Sequence, residues 1–308
     1  MPPIGIRPFR RSDRDQLTSL VNAHIDVVLP GVSVSPNAVL SQLEREPGEP
    51  IVDPWVTARH TLVAIQRDRV VGAVHLLRYG DGDEVGATYR GCGEIRWLVF
   101  MPVEGCEAIS DALTAAALRI ARDWGATAVH SDPSLPAPAV YGVPDTWPHV
   151  AAALERAGFA DHGVAEAVLM ARVDDIPRGV PAPLPGLTLR TALGPNGTEH
   201  TALLDGRVVG RYEVQGDLSA GGTLSRLAGW ADVWNLWVDP RYRHRGVATW
   251  LVGHAADRLR LGGVQRVLDY APVEADDYLG FLAGVGFTEL TRTRRGWRVD
   301  DASWPSTS

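Results

Sequence analysis

The stretch WNLWVDPRYRHRGVATWLVGHAADRLRLGG, residues 234–263, carries the most legible chemistry in this chain. An apolar run from Val233 to Val238 ends at Pro240. The loop Arg241-Tyr242-Arg243-His244-Arg245 follows, and Gly246 opens a segment in which Val247, Leu251, Ala255 and Leu259 recur at helical spacing. That pattern predicts a strand, a basic loop and an amphipathic helix. The first N–H groups of a helix have no partner within it, and the helix dipole adds partial positive charge there, so such a junction attracts anions. Arg243 and Arg245 can pair with phosphate oxygens, while Gly246 and Ala248 are small enough to let an anion approach the backbone. A pyrophosphate fits this arrangement. The competing reading is an ordinary strand–turn–helix with a solvated basic loop.

The pattern Val-x-Pro-x-x-Arg-x-x-Gly-x-Ala, here Val238, Pro240, Arg243, Gly246 and Ala248, together with Gly286-Phe287 downstream, resembles the acyl-CoA loop of the GNAT N-acyltransferases. The resemblance implies acetyl-CoA as co-substrate and an acetyl transfer to the primary amine of a small molecule or peptide. It places the backbone of Leu236 and Trp237 along the pantetheine arm, the Val238 N–H at the developing oxyanion, and Arg243, His244, Arg245, Gly246, Val247, Ala248 and Thr249 around the pyrophosphate. The side chain of Trp237, like most of the tryptophans, is expected in the core.

In such a reaction an amine attacks the thioester within a ternary complex. An alkyl amine of pKa near 10 is mostly protonated at neutral pH, so a base must accept a proton, directly or through water. Asp232 stands where some family members keep a glutamate base, with Glu94 as its counterpart in the first half. The alternative for Asp232 is a solvated carboxylate at a strand end. The family's tyrosine that assists departure of the thiolate lies four residues before the Gly of Gly-Phe, a position filled here by Leu282. Tyr278, one turn earlier on the same helix face, is the candidate acid, against a packing role; Tyr270 is a further candidate. Leu282 keeps open a second reading, a non-catalytic acyl-CoA-binding sensor or interaction module. A third, purely structural reading makes Arg243 and Gly246 dispensable. His254 is expected to be a core or surface residue of the helix. The run Glu274, Asp276, Asp277 either attracts a cationic acceptor or faces water.

The elements that must position these residues occur twice. Arg69-Val70-Val71-Gly72 returns as Arg207-Val208-Val209-Gly210, an offset of 138. At the same offset Glu94 falls on Asp232, Pro102 on Pro240, Leu113 on Leu251 and Gly125 on Gly263. Gly158-Phe159 returns as Gly286-Phe287 at an offset of 128, so the first half carries extra residues, in the proline-rich SDPSLPAPAVYGVPDTW. A duplication of this kind predicts two tandem domains of α/β class, and the resemblance implies that each is a GNAT-like mixed, mostly antiparallel sheet flanked by helices. The expected limits are residues 1–173 for the first, a proline-rich linker over 174–186, and 187–308 for the second. The first domain also has an early amphipathic helix with Leu17, Leu20, Val21 and Val28 on one face and a capping box from Ser12 to Asp15. The second has no room for it between Leu189 and the strand near Glu199, so the first domain is expected to supply the missing acceptor wall. In the first copy Gly105, Ala108 and Ser110 replace Arg243, Gly246 and Ala248, and Glu104 and Glu107 stand where a pyrophosphate would be repelled. That copy is expected to bind no coenzyme.

Composition bounds the rest. The 308 residues, 45% hydrophobic and 22% charged, suit two ordinary cores. A net charge of −7 argues against a nucleic-acid partner. No apolar run reaches the roughly 18 residues of a membrane span, and the N-terminus lacks a signal peptide's apolar stretch, so a cytoplasmic location is expected. Cys92 and Cys106 have no metal-ligand spacing and are expected to be reduced, with no metal bound. An internal duplication can mimic a dimer, leaving monomer and homodimer both open.

Overall fold

A computed structural model describes residues 3–45, 53–163, 165–216, 218 and 227–300. They fall into two compact units: one holds the residues up to Ala165 with those from Thr293 onward, the other Glu166–Arg292. Among the described residues no helix is long and apolar enough to cross a membrane.

The first unit contains β1 (Gly5–Pro8), α1 (Arg14–Val28), α2 (Pro36–Leu43), β2 (Val56–Gln66), β3 (Arg69–Tyr79), β4 (Gly93–Phe100), α3 (Cys106–Asp123), β5 (Ala128–Ser131), β6 (Val143–Pro144), α4 (Pro148–Arg156) and β7 (Ala160–Asp161). Helix α1 forms where Leu17, Leu20, Val21, Ile25 and Val28 repeat every three or four residues, and all five are buried. Its expected capping box does not form. Asp13, rather than Ser12 or Asp15, accepts the Arg10 N–H at 2.9 Å and pairs with Arg7 at 2.7 Å, because a short 3-10 turn, Arg11–Asp13, precedes the helix.

The second unit contains β8 (Ala165–Arg172), β9 (Thr188–Leu193), β10 (Thr198–Leu204), β11 (Arg207–Gln215), β12 (Trp230–Val238), α5 (Val247–Leu261), β13 (Arg266–Pro272), α6 (Asp276–Gly284) and β14 (Thr288–Arg294). Its sheet runs β9-β10-β11-β12-β13-β8-β14. No helix separates β9 from β10; the connection closes with Gly194 N–H on the Gly197 carbonyl at 2.8 Å. The core gathers Val247, Leu251, Ala255 and Leu259 of α5 with Tyr212, Val233, Leu282 and Phe287.

The two sheets repeat one another in detail. Hairpins β2–β3 and β10–β11 turn on pairs of left-handed residues, Arg67-Asp68 and Asp205-Gly206, as tight two-residue turns require. Register shifts fall at Ala64/Ile65 and Ala202/Leu203, and again at His75/Leu76 and Glu213/Val214. Every one of these pairs keeps the offset of 138 seen in the sequence.

The units do not follow the expected domain limits. Strand β8, which ends the first repeat, lies antiparallel to β13 from Arg172↔Arg266 to Glu166↔Pro272. The last strand, β15 (Trp297–Asp300), pairs with β5 and β7, giving the first unit the order β1-β2-β3-β4-β5-β15-β7. Each sheet is thus completed by a strand from the other half of the chain. Periodicity in a sequence says that a strand forms and which face is apolar; it does not say which open edge receives it.

The expected linker is also more than a tether. Arg260 donates to the carbonyls of Val173 and Ile176, the latter at 2.7 Å. At Gly253 a Cβ would stand 2.8 Å from Val180 Cγ2, so the glycine is what lets the segment lie on α5. Pro183 reaches the N-terminal end of the same helix at Gly246.

Candidate active site

Strand β12 begins as an inner strand and ends as an open edge. It pairs with β13 only over Trp230, Ala231 and Asp232, whereas its pairing with β11 continues to Val238 across the irregularity at Trp234. Beyond Asp232 the two parallel strands part. The Asp239 N–H bonds to the Val209 carbonyl, on the β11 side. By strand alternation the Trp237 N–H points the same way, and the N–H groups of Leu236 and Val238 point into the gap. This corrects the expected backbone role of Trp237: its amide is committed to the sheet. Its side chain is not core either, being 39% exposed and lining a cavity.

That cavity, of about 480 Å³, is bounded by Leu236, Trp237, Val238, Tyr242, Arg243, His244, Gly246, Val247, Ala248, Thr249, Asp277, Tyr278 and Phe281. Of the residues expected around a coenzyme, only Arg245 is not brought to it. Helix α5 supplies its donors: the first helical bond is Trp250 N–H to Gly246 C=O at 3.0 Å, so the N–H groups before it have no helical acceptor. His244 and Gly246 both adopt left-handed backbone, φ 56° and 81°. A side chain at Gly246 would meet Pro183 at 3.2 Å rather than fill the anion's approach, so its glycine serves the turn and the linker. Arg241 is tied to Asp239, whose carboxylate it holds down at about 2. Arg243 Nε donates to the Val238 carbonyl at 3.1 Å, which keeps its guanidinium at the end of β12.

Asp232 sits where β12 and β13 part and does not line the cavity itself. Burial lifts its carboxyl to about 6, against a lowering hydrogen bond from Tyr270, and its Oδ1 has no partner among the described residues. Tyr278 does line the cavity, and its hydroxyl lies 2.9 Å from Asp269 Oδ2. Asp269, 4% exposed on β13, is raised to about 7, first by burial and further by Asp232. Nothing in the sequence singled out Asp269; the only available signal was its place beside Tyr270 at the end of a strand next to that of Asp232. Leu282 is core, His254 packs edge-on against Trp250 at 4.8 Å, and Asp277 alone of the acidic run reaches the cavity. Most tryptophans were expected inside; Trp97, Trp147, Trp230, Trp250 and Trp297 are buried, while Trp55, Trp234 and Trp237 are exposed.

The equivalent junction in the first unit is built differently. Helix α3 starts at Cys106, capped by left-handed Gly105, so the positions equivalent to His244, Arg245 and Gly246 are already helical. Glu94, the counterpart of Asp232, is 1% exposed, bonded by the Tyr79 hydroxyl and paired with Arg96 at 2.9 Å.

Residues 170–280 match the model of the acetyltransferase (GNAT) family. No curated protein sequence matches the chain. Among solved structures it is similar to a tandem GNAT protein from the clavulanic acid biosynthesis pathway, at 18% identity and TM-score 0.64, covering 99% of this chain and 100% of that one. A GCN5-related N-acetyltransferase from Sphaerobacter thermophilus aligns at 15% identity and TM-score 0.60, over 100% and 99%. The glucosamine N-acetyltransferase region of a fungal multi-domain GH3 β-N-acetylglucosaminidase aligns at 16% and 0.62, over 96% of this chain and 38% of that one.

Proposed function

The chain has a tandem GNAT fold, and from that premise we propose that it is an acyl-CoA-dependent N-acyltransferase working from its second unit, which moves an acetyl group from acetyl-CoA to a primary amine of a small molecule or peptide. The observation that carries this reading is one cavity on which three features converge: the open edge of β12, the uncapped start of α5, and the Arg243 and His244 side chains. Acetyl-CoA supplies the activated acyl group. The N–H of Leu236 meets its pantetheine arm, and the N–H groups of Val247, Ala248 and Thr249 meet its pyrophosphate together with Arg243. The Val238 N–H stabilises the oxyanion as it develops, a fixed donor that needs no reorganisation. Asp232 accepts the amine's proton through water: its unpaired oxygen and its carboxyl near 6 make it ionised, yet basic, at neutral pH. Tyr278 faces the cavity as the acid for the leaving sulfur.

Calorimetry with acetyl-CoA tests the site. The wild type is expected to bind one equivalent per chain, and Ala248→Glu to weaken binding by about 100-fold or more, since a carboxylate would take the anion's place at the helix start, where it is no burden to the helix. Equal binding by both sinks the assignment. Release of free thiol with a panel of amines then separates an enzyme from a sensor that binds acetyl-CoA without turnover.

A further inference from the structure

Two carboxylates, half-buried Asp232 on β12 and buried Asp269 on β13, act on one another across the point where these strands separate. The titratable groups that face Asp269 are Asp232, Tyr212 from β11 and Tyr278 from α6; Tyr270, beside it on β13, meets it through its backbone N–H. Asp269 Oδ1 accepts the Tyr270 N–H at 2.7 Å, and its Oδ2 is committed to the Tyr278 hydroxyl, the one phenol of the group that lines the cavity.

We propose that Asp269 is a positioning and proton-supplying residue behind Tyr278, passing a proton through the tyrosine hydroxyl to the departing coenzyme sulfur and regaining one from Asp232. This deepens the acyltransferase reading and rests on it.

The need for such a partner follows from acid strength. Burial and the adjacent Asp269 hold the Tyr278 phenol above the usual tyrosine value of about 10, whereas an alkyl thiol of the cysteine kind lies near 8.5. Acting alone, Tyr278 would have to leave a tyrosinate next to a carboxylate in order to protonate a weaker base. When Asp269 holds a proton it donates to Tyr278 Oη, and the tyrosine gives up its own hydrogen as it receives another. Net transfer then runs from a carboxyl near 7 to a thiolate near 8.5, which is downhill. The balance is simple. The amine lone pair forms the C–N bond, the C–S bond breaks with its electron pair kept by sulfur, and sulfur takes the Tyr278 proton. Tyr278 takes the proton of Asp269, and nitrogen loses its surplus proton to Asp232. Transfer from Asp232 to Asp269 through water restores the start, and one proton has moved from nitrogen to sulfur. Leu282, buried at the position of the family's tyrosine, cannot do this work, and Tyr278 is held by Asp269 one turn earlier.

The test is kcat against pH, read as free thiol with saturating acetyl-CoA and an accepted amine, for the full-length wild type, Asp269→Asn, Tyr278→Phe and the double variant. The wild type is expected to rise through about 6 and fall above about 7, apparent values that belong to the carboxyl pair. Each single variant is expected to lose the alkaline limb and about 10- to 100-fold of kcat, with KM for acetyl-CoA within about twofold, and the double variant to be no slower than the singles. A wild-type profile in Asp269→Asn, or losses that multiply in the double variant, overturns the proposal. Should Asp269→Asn fail to fold, Tyr278→Phe decides, and an unchanged kcat and pH profile overturns it. Wild type that releases no thiol with any amine sinks the acyltransferase reading and this proposal together; turnover with unaffected variants sinks this proposal alone.

Discussion

The junctions β4–α3 and β12–α5 contain the same number of residues between equivalent packing points, yet only one sets basic side chains in a loop before its helix. Gly72 and Gly210 lie under equivalent helix residues: a Cβ at Gly72 would meet Ile109 and Leu113 at 2.9 and 3.0 Å, and one at Gly210 would meet Val247 and Leu251 at 3.2 and 3.1 Å. The helices therefore sit in the same register on their sheets. What differs is where they begin. In the second unit Arg243 to Gly246 stay out of the helix, and α5 starts at Val247 with the basic side chains beside it. In the first, the equivalents of His244 to Gly246 are wound into an additional turn of α3 that starts with Cys106 and Glu107. Unwinding one turn makes a loop that borders the cavity; winding it makes a longer helix. The carboxylates differ in the same sense. Glu94 is paired and bonded, whereas one oxygen of Asp232 has no partner among the described residues. On the function proposed above, these local choices are what make one copy of the fold reactive and the other silent.

The sharpest way to break this comparison is to exchange the two acids for amides. Asp232→Asn is expected to lower kcat by about 10²- to 10⁴-fold, the usual worth of a positioned base. Glu94→Gln should leave kcat unchanged and lower stability by about 1–3 kcal/mol, because it leaves Arg96 without its partner, as a denaturant titration would read. Equal kinetic effects would mean that both units take part in the chemistry. Next in size is a test of charge against geometry. The double change Glu104→Arg, Glu107→Arg supplies the first copy with basic residues but leaves its extra helical turn in place. Calorimetry is expected still to count one acetyl-CoA per chain; a second equivalent would show that charge alone had silenced it. Effects on stability with no change at the site should come from Gly72→Ala and Gly210→Ala. Each is expected to cost about 1–3 kcal/mol by overpacking against its helix, and closely similar values would confirm that the two helices share one register.

The sequence by itself determined the duplication, the α/β class, the strand–loop–helix at Val238 to Thr249 and the short β9–β10 connection. These rest on local periodicity, glycine and proline placement, and a constant offset, all of which act between near neighbours in the chain. It also placed Tyr278 and Asp232 as candidates, through a resemblance in spacing. Only the tertiary structure decided that β8 and β15 complete the sheets of the opposite halves, since an open strand edge accepts any partner in register. It alone turned the Trp237 amide toward β11 and the Leu236 and Val238 amides toward the gap, a consequence of pairing partners that no single strand specifies. It alone brought Asp269 to Tyr278 and set both Asp232 and Asp269 in surroundings that favour the protonated carboxyl. Burial depends on what every other segment does, and a carboxylate's proton affinity follows burial, so that property is not written at any one position of the chain.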